Sequence, residues 1–342
     1  MSQLPLPDFF DPNRAEQVWR VPYEQRAQQA VDWARQHGLQ PVAADQRRIW
    51  LLLVDTQNTF CLPDFELFVA GRSGRAAVDD TVRLCQFIYR NLGVISQVTA
   101  TLDTHMSIQI FHAIFLVDAD GKHPAPYSQI KVKDVRSGQW KFNPALAGPL
   151  GVSPEYGQEM LLHYVTQLET SGKYALTVWP YHAMLGGVGH ALVSSVEEAL
   201  FFHSIARTAQ TQFEVKGDHP FTENYSAIGP EVQTGPMGET LEQRNPKYID
   251  ALQDVDALIV AGQAKSHCVA WTLADLLEDI RGVDPALAKK IYLLEDCTSP
   301  VVVPGADYTH AADQAYADFA AAGMHIVRST DPIEMWEGFP KA

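Results

Sequence analysis

Ile49-Trp50-Leu51-Leu52-Leu53-Val54-Asp55 is an unbroken apolar run that ends in a carboxylate. Continuous rather than alternating apolarity is the pattern of a parallel strand covered on both faces, and it sets Asp55 at the strand's C-terminal end. Downstream, a helical stretch from about Ala76 to Asn91 leads to a second strand, Val94 to Leu102, which ends at Asp103. The alternation resumes with Tyr174 to Trp179, a helix around Ser195 to Thr211, and Phe213 to Lys216. It continues with Ala257 to Gly262, a helix opening at Cys268, Ile291 to Asp296 and His325 to Arg328. This rhythm predicts an α/β fold: a three-layer α/β/α sandwich around a mostly parallel, doubly wound sheet of about six strands.

Two regions stand outside the rhythm. Residues 1–46 read as an N-terminal helical arm, with Ala15, Val18 and Trp19, then Ala27, Ala30, Val31 and Ala34, at helix-like intervals. Residues 47–335 form the main domain, and its stretch from about 114 to 173 is turn-rich with little periodicity, which predicts an irregular insertion near the mouth of a site.

The 342-residue chain carries 26 Lys+Arg against 41 Asp+Glu, a formal charge of −15 that opposes nucleic acid and anionic membrane as partners. A small neutral substrate is easier to reconcile with that field; a homo-oligomer stays open. Cys61, Cys85, Cys268 and Cys297 lack CxxC spacing, which argues against a disulfide framework or a cysteine zinc site and suits a reducing cytoplasm. No apolar run approaches about 20 residues, so no membrane span is expected.

In an open parallel sheet, ligands bind beyond the carboxyl ends of the strands. Asp55, Asp103, Lys216 and Cys268 all fall at predicted strand ends. Val269, Leu273, Leu276, Leu277 and Ile280 mark one buried helical face, so Cys268 lies in the first turn of its helix. The unpaired N–H groups and dipole there favour an anion, and the thiol pKa is expected to fall. An inert buried cysteine, a turn-capping Asp55 and a solvated Lys216 are the plainer alternatives.

Taken in order, Val54-Asp55-Thr56-Gln57-Asn58-Thr59-Phe60, Asp103-Thr104-His105, Trp179-Pro180-Tyr181-His182, Lys216-Gly217 with Tyr225-Ser226, and Gly262 to Val269 resemble the motifs of the isochorismatase-like cysteine hydrolases. Within that superfamily the set looks most like a nicotinamidase. The resemblance spans roughly residues 47–112 and 174–330. It implies a catalytic triad of Asp55, Lys216 and Cys268, and a cis peptide before Ala264 that aims the Ala264 and Cys268 N–H groups at one oxyanion. It implies one divalent ion, Zn²⁺, Fe²⁺ or Mn²⁺, held by Asp103, His105, His112 and His182, and a substrate pocket walled by Phe60, Trp179 and Tyr225. The implied activity is hydrolysis of a small, heteroaromatic amide such as nicotinamide to the acid and ammonia through a thioester.

Three features depart from the pattern. His105 to His112 is a longer interval than usual, which leaves His112 readable as a core histidine and His123 as a substitute; Met106 replaces a proline; Ala183 stands where a cysteine is general. Gly186-Gly187-Val188-Gly189 lacks the residues that complete a phosphate-binding motif and reads as a plain loop. Competing functions are a related hydrolase of carbamoyl or ureido compounds and a catalytically silent binding or assembly module.

Overall fold

A computed structural model describes residues 3–303 and 305–340. Six strands form the central sheet: β1 (Ile49–Val54), β2 (Gln97–Asp103), β3 (Gln212–Lys216), β4 (Ala257–Gly262), β5 (Ile291–Leu294) and β6 (His325–Val327). Their order is β6-β5-β4-β1-β2-β3, and every neighbouring pair is parallel. Successive side chains of a strand point to opposite faces, and β1 shows it. Trp50, Leu52 and Val54 join one hydrophobic core, while Ile49, Leu51 and Leu53 join the other.

Each core is closed by helices. Val269, Leu273, Leu276, Leu277 and Ile280 of the helix Cys268–Val283 are buried in the first core, as their spacing predicts. Leu84, Cys85 and Ile88 of the helix Ala76–Arg90 join Val196, Leu200 and Phe202 of the helix Ser194–Ala206 in the second. The fold is the three-layer α/β sandwich read from the sequence.

The sequence reading misses in three places. Tyr174 to Trp179 does not enter the central sheet; only Leu176–Thr177 is extended, in an antiparallel ladder with Gln129–Ile130. In the arm, among the described residues only Tyr23–His37 is α-helical; Ala15 to Trp19 lies before it in turn and irregular backbone. The insertion contains an 18-residue helix, Pro154–Ser171, with Ser153 capping Tyr156 N–H, proline at its first turn and Gly172 in the left-handed conformation at its end. Its Met160, Leu161, Tyr164, Val165 and Leu168 belong to the first core, so the segment is an added layer of the domain.

Candidate active site

The chain runs outward from β1 through β2 to β3 and then returns to place β4 on the other side of β1. This reversal opens a crevice at the carboxyl ends of β1 and β4, the place where open α/β sheets bind ligands. Asp55 leaves β1 and Cys268 opens its helix after β4, so both lie at this edge of the sheet, and Cys268 lines the cavity there.

Asp55 is fully buried in a left-handed conformation, φ 46°, and its N–H donates to Thr101 Oγ1 at 3.0 Å. Thr101 Oγ1 in turn contacts Asp55 Oδ1 at 2.5 Å. Lys216, at the end of β3 in register with Asp103, extends an ammonium that ties the group together. Its Nζ lies 3.0 Å from Asp55 Oδ2, 2.9 Å from Asp103 Oδ1, 2.8 Å from Asn224 O and 3.8 Å from Cys268 Sγ. The lysine is buried, not solvated.

The charges settle against one another. Burial opposes the Lys216 ammonium, yet Asp103, Asp55 and Cys268 hold it well above the ordinary lysine range. Burial pushes Asp55 up despite Lys216. Burial likewise raises Cys268 well above a free thiol, with Lys216 pulling the other way and Asp55 and Asp103 adding to the rise. The expected low thiol pKa is therefore corrected: two carboxylates and loss of water outweigh the helix terminus and the lysine.

Gln263–Ala264 is a cis peptide bond. Among the described residues, neither the Ala264 N–H nor the Cys268 N–H donates to another group, so both stay available to an incoming oxyanion.

Asp103, His105 and His182 present one ligand atom each within 4.8 Å of one another, all buried. His105 Nε2 lies 2.8 Å and His182 Nε2 3.5 Å from Asp103 Oδ2. The opposite ring nitrogens face Gly217 O at 3.0 Å and Pro180 O at 2.8 Å, which aims both Nε2 atoms inward. Gly217 has φ 85°, and a Cβ there would stand 3.0 Å from Asp103 Oδ1 and 3.1 Å from His105 Cε1. His112 is not in this group of three. Its ring centroid lies 6.1 Å from that of His105 and 4.5 Å from that of Tyr181, and burial lowers its pKa to about 3. His123 is elsewhere, with Nδ1 2.6 Å from Leu116 O.

These groups open on a cavity of about 180 Å³ lined by Cys268, Asp103, His105, His182 and the aromatic rings of Phe60, Trp179 and Tyr225. Trp179 Nε1–H donates to Tyr225 Oη at 3.0 Å. Tyr127, from the insertion, meets Trp179 edge-on at 6.1 Å between centroids and lines the same space, as do Glu223 and His267. None of these three had a role in the sequence reading: the folded insertion brings Tyr127 here and the Lys216–Tyr225 loop brings Glu223, while His267 stands beside Cys268 in the motif already quoted. That reading also quoted Gln57 without giving it a role. Its amide brackets Asp103, donating from Nε2 to Asp103 O and accepting from Asp103 N–H, both at 2.8 Å. A buried glutamine two residues after Asp55 was the available signal.

No protein-family model and no curated protein matches the sequence. Solved structures do match. A nicotinamidase and pyrazinamidase of Acinetobacter baumanii superposes with TM-score 0.50 at 20% identity, covering 84% of this chain and 99% of that one. The yeast nicotinamidase bound to the inhibitor nicotinaldehyde gives TM-score 0.50 at 17% identity, covering 82% and 99%. The chain shares its fold with these two nicotinamidases. Each match takes in nearly all of the smaller partner.

Proposed function

We propose that the protein is an isochorismatase-like cysteine amidohydrolase that converts a small aromatic amide, nicotinamide first among candidates, to the acid and ammonia. The observation that carries the reading is Lys216 Nζ lying within 3.0 Å of Asp55 and 3.8 Å of Cys268 Sγ at the sheet's reversal point, beside an aromatic-walled cavity.

In this reading Asp55 takes the Cys268 proton as the sulfur attacks the amide carbonyl. The Ala264 and Cys268 N–H groups receive the negative oxygen; losing one such donor typically costs about 10²–10³ in rate. Asp55 returns its proton to the departing nitrogen, ammonia leaves and a thioester remains. Water, deprotonated by Asp55, then releases the acid and regenerates the thiol. Lys216 keeps its positive charge throughout and compensates whichever neighbour is anionic. Phe60, Trp179 and Tyr225 clamp the ring, with stacking worth about 0.5–1.5 kcal/mol per well-placed face.

Asp103, His105 and His182 fit a divalent cation: two inward-aimed imidazoles and a carboxylate suit Zn²⁺, Fe²⁺ or Mn²⁺ and leave coordination positions open. When bound, the ion supplies positive charge that orients the substrate. Inclusion of His112 would require its ring to move toward His105.

Ammonia release from nicotinamide and a panel of aromatic amides tests the proposal. The expected result is turnover that Cys268→Ala lowers by at least about a thousandfold. Absence of ammonia from every amide, with metal-loaded protein, would support the silent module instead; release from ureido compounds alone would support the carbamoyl hydrolase.

A further inference from the structure

The proposed mechanism leaves one buried acid of the cavity unused. Glu223 is 5% exposed, lies on the loop between Lys216 and Tyr225, and lines the same cavity as Cys268. The neighbouring acid Glu231 has a cation, Lys173 Nζ at 3.1 Å; among the described residues no Lys, Arg or His pairs with Glu223. Two walls of the pocket adjoin it: Tyr225 and Trp179 each pull its pKa down against the burial, and Trp179 Nε1–H donates to Tyr225 Oη at 3.0 Å. Burial and the nearby Glu231 push its pKa well above the ordinary range. A buried carboxyl without a cation is costly to the fold, and a ligand donor would help to satisfy it.

We infer that Glu223 is the specificity residue of this pocket and that the substrate is an aromatic amide bearing, away from its scissile group, an N–H or O–H donor such as a ring amino group. The inference rests on the amidohydrolase reading for which end of the substrate faces Cys268. Protonated or ionised, the carboxyl keeps an acceptor oxygen, so either form can take the donor. The acidic surroundings, Glu231 and Asp103 included, favour a donor over an acceptor at that end. Unsubstituted nicotinamide offers no donor on its ring and leaves Glu223 unmatched. A site built around a buried polar group discriminates sharply against a ligand that leaves it unpaired.

The test separates recognition from chemistry. Cys268→Ala protein is titrated calorimetrically with nicotinamide and with the ring-amino isomers of nicotinamide, alone and combined with Glu223→Ala or the similarly sized Glu223→Met. The expected result is that at least one amino isomer binds about tenfold or more tightly than nicotinamide. Both Glu223 substitutions should erase that ratio while leaving nicotinamide affinity within about threefold, and Glu223→Gln, which keeps an acceptor oxygen, should retain part of it. If no isomer outbinds nicotinamide, or if the preference survives loss of the carboxyl, the inference is overturned. Should neither Ala nor Met variant fold, the ranking in the Glu223-containing protein decides alone. Failure of the wild-type protein to release ammonia from any of these amides counts against the hydrolase reading and leaves the binding ratios to decide this one.

Discussion

Lys216 and Asp55 act on the Cys268 thiol in opposite directions, and the difference can be measured. Burial raises the thiol's pKa first, and Asp55 adds to the rise through its charge and its hydrogen bond, while Lys216 lowers it. Asp55→Asn removes a raising influence and leaves the lowering one, so the thiolate fraction at pH 7 should increase. Iodoacetamide should then alkylate Cys268 faster than in the wild-type protein. Ammonia release should meanwhile collapse, because the proton carrier is gone. Peptide mapping reads the site; the other three cysteines are at most 1% exposed against 7% for Cys268. Alkylation that is unchanged or slower in Asp55→Asn would separate the two residues and break the proposed triad. That Asp55, Lys216 and Cys268 lie at one edge of the sheet was legible in the sequence, but the direction of the thiol's shift was not, since it depends on water lost in three dimensions.

At the scale of elements, the turn from β4 into the Cys268 helix depends on Gly262. Its φ is 113°, and an added Cβ would fall 2.0 Å from Val54 O on the adjacent strand. Backbone, not a flexible side chain, stands in the way, and Gln263 N–H donates to that same Val54 oxygen at 2.8 Å. Gly262→Ala should therefore destabilise the protein by about 3 kcal/mol or more and scatter the site with it. Urea unfolding provides the measure, and a wild-type midpoint with full activity would refute it. The strands β1 and β4 were readable because burial on both faces demands apolarity at every position. The helix Pro154–Ser171 carried readable caps and a 3.6-residue apolar period but lay behind glycine and proline turns that obscured it. Tyr174 to Trp179 has strand-like composition; Leu176, Val178 and Trp179 are buried in the first core while its ladder lies outside the main sheet.

At the scale of the whole molecule, the arm is joined to the sandwich by an ion pair that is itself buried. Arg26 Nε lies 2.6 Å from Glu198 Oε1, with side chains 7% and 4% exposed, and the guanidinium covers the Phe9 ring at 3.9 Å. Trp19 N–H donates to Ser194 Oγ at 3.0 Å, and Ser194 Oγ donates back to Trp19 O at 2.8 Å, on the same helix as Glu198. Arg26→Ala strands a carboxylate inside and should cost about 3–5 kcal/mol, with Arg26→Ala/Glu198→Ala recovering part of the loss. Thermal and urea unfolding of the two variants check this; a single variant within about 1 kcal/mol of wild type would make the arm a loose appendage. Among the described residues no helix is long and apolar enough to cross a membrane. By itself the sequence determined the layering and which polar side chains gather at the strand ends, because apolar periodicity records how many faces of an element are covered and strand ends are where polar residues survive. Only the tertiary structure decided which groups meet: that His112 stays apart from Asp103, that the insertion lends Tyr127 to the cavity, and that Glu223 faces it. Those outcomes depend on how distant segments pack, a property carried by no local pattern in the chain.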